Sequence, residues 1–146
     1  MANELTLVAG TPKTVVSSGA AVASGAMSAA PAFSYSVAAD GGGFPDAEIA
    51  FSGSFAAAPT AGKILAVVAR ELNVDGTLDA PVPTTSYPYR KVATLVVSAD
   101  TTQTLNARAH GMPRECELYL YNVDTGVSVS AGWTMKVTPI SYQPAA

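Results

Sequence analysis

An alternating pattern of apolar and polar residues dominates the C-terminal part of the chain. Over residues 127–137, apolar side chains fall on one parity and mostly Ser, Thr and Lys fall on the other. Successive side chains of a β-strand point to opposite faces, so this pattern predicts a strand with one buried face and one wet face. Trp133 lies on the apolar parity and is therefore predicted to be a core residue.

The preceding segment, residues 115–122, alternates in the same way. Its predicted buried parity holds Cys116, Leu118 and Leu120, whereas Glu and Tyr residues hold the other parity. The two alternating runs are separated by Asn122, Asp124 and Gly126, which are common turn residues. The pattern therefore predicts a β-hairpin.

Shorter or weaker strand patterns occur through the rest of the chain. Residues 63–72 are apolar on both parities, which indicates a central strand covered on both faces or a short buried helix. Residues 103–110 are ambiguous. Further strands are predicted at residues 4–8, 13–16, 33–37, 47–55 and 87–99. Many short strands without a long helix predict an all-β fold, a single-domain antiparallel β-sandwich or jelly roll.

The N-terminal part, residues 1–43, has low complexity and is rich in Ala, Ser and Gly. We predict an extended N-terminal arm with short strands over residues 1–43, followed by a β-sandwich domain over residues 44–146. The arm either packs on its own domain or is held by a partner chain. Its uncharged stretch, residues 14–39, lacks the Leu, Ile, Val and Phe content of a signal peptide or membrane span, so we expect no membrane segment.

Composition favours a protein that contacts other proteins. The net charge of −3 offers no basic stripe, so we expect no nucleic-acid partner. Only 13% of the residues are charged, against about 25% in typical soluble domains. A surface poor in charge and rich in small residues suits close contact with a neighbouring protein.

The chain has few residues suited to catalysis or to metal and cofactor binding. The single cysteine, Cys116, excludes an intrachain disulfide and is predicted to be a buried structural thiol. With a single histidine, His110, a structural zinc site is close to excluded. The chain has neither a phosphate-binding glycine motif nor a nucleophile elbow. We predict no catalytic residue, no metal site and no cofactor, and hence no enzyme.

Two pairs of acidic residues leave open two alternatives, glycosidase catalysis and calcium binding. Glu115 and Glu117 share one strand face at about 7 Å, which is near the carboxylate spacing of inverting glycosidases. Two acids on a wet strand face are also the ordinary solvated pattern. Asp75 and Asp79 could hold calcium with nearby carbonyl groups, but turn chemistry explains both.

Tyrosines supply the candidate interface. Exposed tyrosines are enriched where proteins meet, because the ring is apolar and the hydroxyl is polar. Sugar binding and cross-strand packing are the alternatives. The candidate interface residues are Tyr87, Tyr89, Tyr119 and Tyr121.

Four segments also carry a family resemblance. They are two loops and the two alternating runs, residues 55–63, 73–83, 118–122 and 130–134. From about residue 44 onward, the chain resembles the jelly-roll decoration, or cement, proteins on the outside of tailed-bacteriophage heads. The matching features are structural and not catalytic. Residues 1–43 share only the small-residue character.

The resemblance implies a non-enzymatic structural virion protein. It would bind the major capsid protein on the outer surface of the phage head, stabilise the shell, and form a homo-dimer or homo-trimer. Assembly would take place in the host cytoplasm. The alternative function is a phage tail or fibre module that binds host surface glycan.

Overall fold

The computed structural model describes residues 5–87 and 90–144 as an all-β fold. Ten strands are formed within these residues, and all their pairings are antiparallel. They are β1 (Leu5–Ala9), β2 (Lys13–Gly19), β3 (Ala26–Met27), β4 (Tyr35–Ser36), β5 (Ala47–Ser54), β6 (Ile64–Glu71), β7 (Arg90–Val96), β8 (Thr102–Ala109), β9 (Glu115–Asn122) and β10 (Trp133–Pro144). The ambiguous segment 103–110 is thus a strand. The described residues contain no helix long and apolar enough to cross a membrane.

The ten strands form two five-stranded sheets. In the first sheet, β10 lies between β5 and the consecutive strands β1 and β2, and β8 pairs with the far edge of β5. In the second sheet, β9 lies between β6 and the short strands β3 and β4, and β7 pairs with the far edge of β6. Counting β1 with β2 and β3 with β4 gives eight strands, ordered 1-8-3-6 and 2-7-4-5. This is the order of a jelly roll, and the predicted fold class is confirmed.

The core lies between the two sheets and follows the predicted alternation. Ile49 and Phe51 of β5 and Met135 and Val137 of β10 have no exposed surface. The prediction for Trp133 is confirmed, because its side chain is 2% exposed. Its indole Nε1–H donates to the Ala20 carbonyl at 2.8 Å.

Strand β6 is buried on both parities, as its continuous apolar sequence predicts. Every residue from 65 to 69 is at most 2% exposed. Ala66 and Val68 point away from the central core, and Tyr119 of the neighbouring strand β9, directly opposite Val68, is 1% exposed. The outer face of the second sheet is therefore partly covered as well.

The predicted β-hairpin between the two alternating runs is wrong. Strand β9 belongs to the second sheet and β10 to the first, and residues 123–132 cross between them. Val129 in this crossing bridges to Val22 and Phe55. Alternation reports which face of a strand is buried, and two strands facing each other across a sandwich show the same alternation as two paired strands.

The described part of the N-terminal segment packs on the protein's own strands. Val15 and Val16 of β2, together with Val22 and Tyr35, are members of the core. The predicted strand at 33–37 is limited to β4. The sandwich core thus includes residues that precede position 44, because β2 fills the edge of β10 that the later strands leave open.

Candidate interaction surface

One end of the sandwich gathers three connections and a projecting ribbon. The connections are residues 37–46, 72–89 and 110–114. Backbone hydrogen bonds hold the described parts together: Met112 N–H donates to the Pro45 carbonyl at 2.7 Å, and Leu72 N–H donates to the Glu115 carbonyl at 2.9 Å. We call this the ribbon end.

The ribbon consists of β1 and residues 140–144 of β10. Strand β5 accompanies β10 only as far as the pair Ala47–Pro139. Beyond that pair, β1 is the only strand beside β10 within the described part of the chain. The ribbon carries no charged side chain. Charged residues, prolines and bulges are the usual protections of open strand edges, and the ribbon has a proline only at its last position, Pro144, so the remaining edge is suited to further pairing.

The register of the ribbon places its apolar side chains on one face. Leu7 lies opposite Tyr142, and Leu5 lies opposite Pro144. Directly opposed residues of an antiparallel pair project to the same side. Leu5 is 66% exposed, Leu7 44% and Tyr142 47%, so the ribbon presents an apolar face to solvent.

Exposed large apolar residues concentrate at the ribbon end. Among residues 5–87 and 90–144 there are ten of them, and eight lie in the ribbon or its adjoining connections. Phe33 and Val96 are the two elsewhere. Single exposed apolar residues are normal on proteins, whereas their collection in one region indicates a contact surface. The eight are Leu5, Leu7, Phe44, Val74, Leu78, Val82, Tyr87 and Tyr142.

The connections at the opposite end of the sandwich, residues 20–25, 55–63, 97–101 and 123–132, carry none of these ten exposed apolar residues. Lys63 Nζ lies 3.3 Å from Asp124 Oδ2, and the Ile64 N–H donates to Asp124 Oδ1 at 3.1 Å. The backbone donor, followed by the lysine, lowers the pKa of the Asp124 carboxyl. The two ends therefore differ in their exposed apolar side chains, and the ribbon end, which carries them, is the candidate interaction surface.

Arg70 organises the polar groups beside the connection 72–89. Its Nη1 donates to Glu117 Oε2 at 3.0 Å, and its Nε donates to the Ala80 carbonyl at 2.7 Å. The hydrogen bond with Glu117 raises the pKa of Arg70. Tyr119 donates its hydroxyl to the same Glu117 oxygen at 2.9 Å, and its burial raises the pKa of the phenol to about 12.

This network gives no support to paired-carboxylate catalysis. Glu117 is held by Arg70 and Tyr119, and Glu115 Oε2 accepts from Asn73 Nδ2 at 2.8 Å. A general acid or base must reach a substrate, whereas these carboxylates are occupied by structural partners. The ordinary structural interpretation of the pair is favoured.

The four predicted interface tyrosines have different environments. Tyr87 is 68% exposed at the ribbon end and belongs to the candidate surface. The expected exposure of Tyr119 is wrong, because it is 1% exposed. Tyr121 is half-buried, and Tyr89 lies outside the described residues. Parity identified the outer face correctly for Tyr119, but it carries no information on whether that face is covered.

Acidic and nucleophilic side chains fit structural roles. Asp75 Oδ1 accepts from the N–H groups of Leu78 and Thr77, and these bonds lower the pKa of its carboxyl. No group of three or more His, Cys, Asp or Glu side chains suited to a metal occurs in the described ranges. Burial raises the pKa of the Cys116 thiol to about 12, which keeps it protonated at neutral pH. His110 is exposed, with Nδ1 3.6 Å from Asp46 Oδ2.

Two clefts of about 410 Å³ also lie at the ribbon end. The first contains Arg90 and Arg114, whose guanidinium groups donate to the carbonyls of Gly111 and Asn73. The second lies between the ribbon and the turn that carries Phe44. The charged groups named here are satisfied within the protein, so the exposed apolar side chains remain the stronger feature.

No family model, curated protein or solved structure matches this chain. Function is therefore inferred from the surface and from the resemblance described above. Sequence reasoning missed most of the apolar residues of the ribbon end. A usable signal was present, because Val74, Leu78 and Val82 are aliphatic residues within a turn-rich segment of Asp, Gly and Pro, where no core strand needs them.

Proposed function

We propose that this protein is a non-enzymatic structural component of a tailed-bacteriophage virion. It is a decoration, or cement, protein that binds the outside of the major capsid shell and stabilises it. The observation that carries the proposal is the concentration of exposed apolar residues at one end of a jelly roll, next to a ribbon with open strand edges.

The ribbon supplies a physical mode of attachment. An extended segment of a capsid subunit adds to an open edge, and main-chain hydrogen bonds join the two chains. Leu7 and Tyr142 then lie against the capsid surface and lose water. Burial of such side chains contributes about 25 cal/mol for each Å² of apolar area removed from water.

The location of these features suits a protein that bridges capsid subunits. The ribbon and the turn carrying Phe44 are separate parts of the same end, so each can contact a different neighbour in a shell. Clamping neighbouring subunits opposes their separation under the pressure of packaged DNA. In this proposal a homo-dimer or homo-trimer of the protein sits on the outer surface of the head.

The test is binding of the purified protein to expanded phage heads that have been stripped of it. Co-sedimentation over a concentration series should show saturable binding at a copy number in simple ratio to the capsid subunit. A folded protein that does not sediment with the heads contradicts the proposal.

The glycan-binding alternative depends on an exposed tyrosine platform. Tyr119 is buried, so the predicted platform loses one of its members, while Tyr87 is exposed. A glycan array serves as the counter-test: specific glycan binding together with no binding to heads favours a tail or fibre module.

A further inference from the structure

The connection between β6 and β7 contains a compact loop that projects at the ribbon end. Residues 72–89 exceed the length of about 12–15 residues above which connections in compact domains are usually either functional or disordered. Within them, residues 73–79 close on themselves. Val74 N–H donates to the Leu78 carbonyl at 2.7 Å, and Gly76 N–H donates to the Asn73 carbonyl at 3.0 Å. We call residues 73–79 the tongue.

The tongue is held in one conformation by its own polar groups. Asp75 Oδ1 accepts from Leu78 N–H at 2.7 Å and from Thr77 N–H at 3.0 Å. Asp79 Oδ1 accepts from Asn73 N–H at 3.1 Å, across the base of the loop. These carboxylates stabilise the turn, because Asp side chains commonly accept hydrogen bonds from nearby backbone N–H groups.

The base of the tongue is anchored to the sandwich. Asn73 Nδ2 donates to Glu115, and the Asn73 carbonyl accepts from Arg114. Arg70 donates to the Ala80 carbonyl, one residue beyond the tongue, and lies 3.8 Å from Asp79. Asn73 also adopts a φ of 51°, a left-handed conformation that Asn takes up more readily than most residues other than glycine, so it suits the turn at the base of the tongue.

The tongue presents two aliphatic side chains to solvent. Val74 is 58% exposed and Leu78 is 66% exposed. The hydrogen bond from Val74 N–H to the Leu78 carbonyl brings the two residues together across the loop. Ordering a loop costs conformational entropy, and a loop that is already ordered avoids that cost when it binds.

We propose that the tongue inserts Val74 and Leu78 into an apolar pocket on the capsid surface. This inference rests on the proposed function and specifies one of its contacts. The tongue emerges at the same end as the ribbon, so the two can engage one surface together. Asp75 accepts hydrogen bonds from backbone N–H groups of the tongue, and Asp79 lies 3.8 Å from Arg70. Both acids therefore hold the loop in shape while Val74 and Leu78 stay exposed.

The test compares variants in binding to stripped heads. The double variant Val74→Ser with Leu78→Ser removes the apolar side chains and leaves the Asp75 and Asp79 turn contacts in place. We expect its dissociation constant to rise at least about tenfold, as for the loss of central apolar contacts in an interface. The matched control is Val96→Ser, because Val96 is 59% exposed on β7 and lies away from the ribbon end. The affinity of this variant for heads should stay within about twofold of wild type.

A second variant tests the ordering of the tongue. Asp75→Ala removes the acceptor for Leu78 N–H and Thr77 N–H but keeps both aliphatic side chains. We expect binding to weaken by about threefold to tenfold, with unchanged thermal unfolding of the sandwich, because Asp75 is an exposed residue.

The outcomes separate the two proposals. If the wild-type protein binds heads and the Val74→Ser, Leu78→Ser double variant binds them equally tightly, the proposed role of the tongue is wrong. The decoration function is then left intact. Failure of the folded wild-type protein to bind heads overturns the decoration function and, with it, this inference. Circular dichroism and thermal unfolding of each variant show whether a loss of binding reflects a loss of fold.

Discussion

Leu7 and Tyr142 lie directly opposite each other in a ribbon that continues past the end of β5. Both side chains are exposed, although aromatic and aliphatic partners across strands normally pack into a sheet face. An isolated two-stranded ribbon is marginally stable in water. The exposed pair and the unaccompanied ribbon therefore both indicate a surface that is completed by another chain.

Two deletions of different length in the N-terminal segment should distinguish a loss of head binding from a loss of fold. Deletion of residues 1–9 removes β1 and one side of the ribbon but leaves β2 on β10, so we expect a folded sandwich with weakened binding to heads. Deletion of residues 1–39 also removes Val15, Val22 and Tyr35 from the core, and we expect it to unfold the protein. Of the two arrangements that the sequence left open for the N-terminal segment, the described residues show the one in which it packs on its own domain.

Circular dichroism and thermal unfolding of the two truncated chains check that prediction. A cooperative transition close to wild type for the chain lacking residues 1–39 would contradict the structural role of β2. Head binding of the chain lacking residues 1–9 at wild-type strength would contradict the role of the ribbon.

Trp133 should be the largest single contributor to the core. Replacement of a buried aromatic residue by alanine leaves a cavity, so Trp133→Ala should lower the free energy of unfolding by about 3–5 kcal/mol. Urea denaturation measures this change, and Val96→Ala at an exposed position is the control. A loss below about 1 kcal/mol would contradict the packing described for β10.

Gly19 is predicted to be intolerant of any side chain. A Cβ at position 19 would overlap the Trp133 indole, and the indole is held by its hydrogen bond to Ala20. We expect Gly19→Ala to destabilise the protein by about 1–3 kcal/mol, the usual range for overpacking. Ser18→Ala, at an exposed neighbouring position, should have little effect in the same denaturation experiment.

Alkaline pH should destabilise the protein through Tyr35, Tyr119 and Cys116. Burial, the main cause, raises the pKa of Tyr35 and of Tyr119 from 10.0 to about 12 and that of Cys116 from 9.0 to about 12. Between these values the unfolded chain has released protons that the folded protein retains. The free energy of unfolding is therefore unaffected by these groups below about pH 9 and falls as the pH rises toward 12.

Tyr35→Phe should reduce that alkaline loss. Among the described residues the Tyr35 hydroxyl is buried without a hydrogen-bond partner, so its removal should also raise stability at pH 7 by about 1 kcal/mol. Denaturation at pH 7 and pH 11 measures both effects, with Tyr121→Phe at a half-buried position as the control. An alkaline slope equal to that of wild type would show that Tyr35 is not one of the responsible groups.

The sequence was most informative where strands are amphipathic or continuously apolar. Alternation predicted the buried residues of β10, including Trp133, and the apolar run at residues 63–72 indicated either a strand covered on both faces, which β6 is, or a short buried helix. These features depend on local periodicity, which a single sequence contains. The number and spacing of such strands predicted a β-sandwich or jelly roll, and the strand order of the structure identifies the jelly roll.

The pairing of strands and the covering of outer sheet faces were less predictable from the sequence. The sequence could not reveal that β9 and β10 belong to different sheets, because strand pairing depends on contacts between distant residues. Burial of Tyr119 depends on what covers the outer face of its sheet, which parity does not encode. The ribbon surface follows from the register between residues 5–9 and 140–144, a relationship between the two ends of the chain.

The most direct test of attachment through the ribbon end is head binding by two single variants. Leu7→Lys places a charge on the exposed face of the ribbon, and Val96→Lys places the same charge at an exposed site away from that end. Both should fold, because both positions are exposed. We expect Leu7→Lys to weaken co-sedimentation with stripped heads by at least about tenfold and Val96→Lys to bind as wild type does. Equal binding by the two variants, or a larger loss for Val96→Lys, would contradict attachment through the ribbon end.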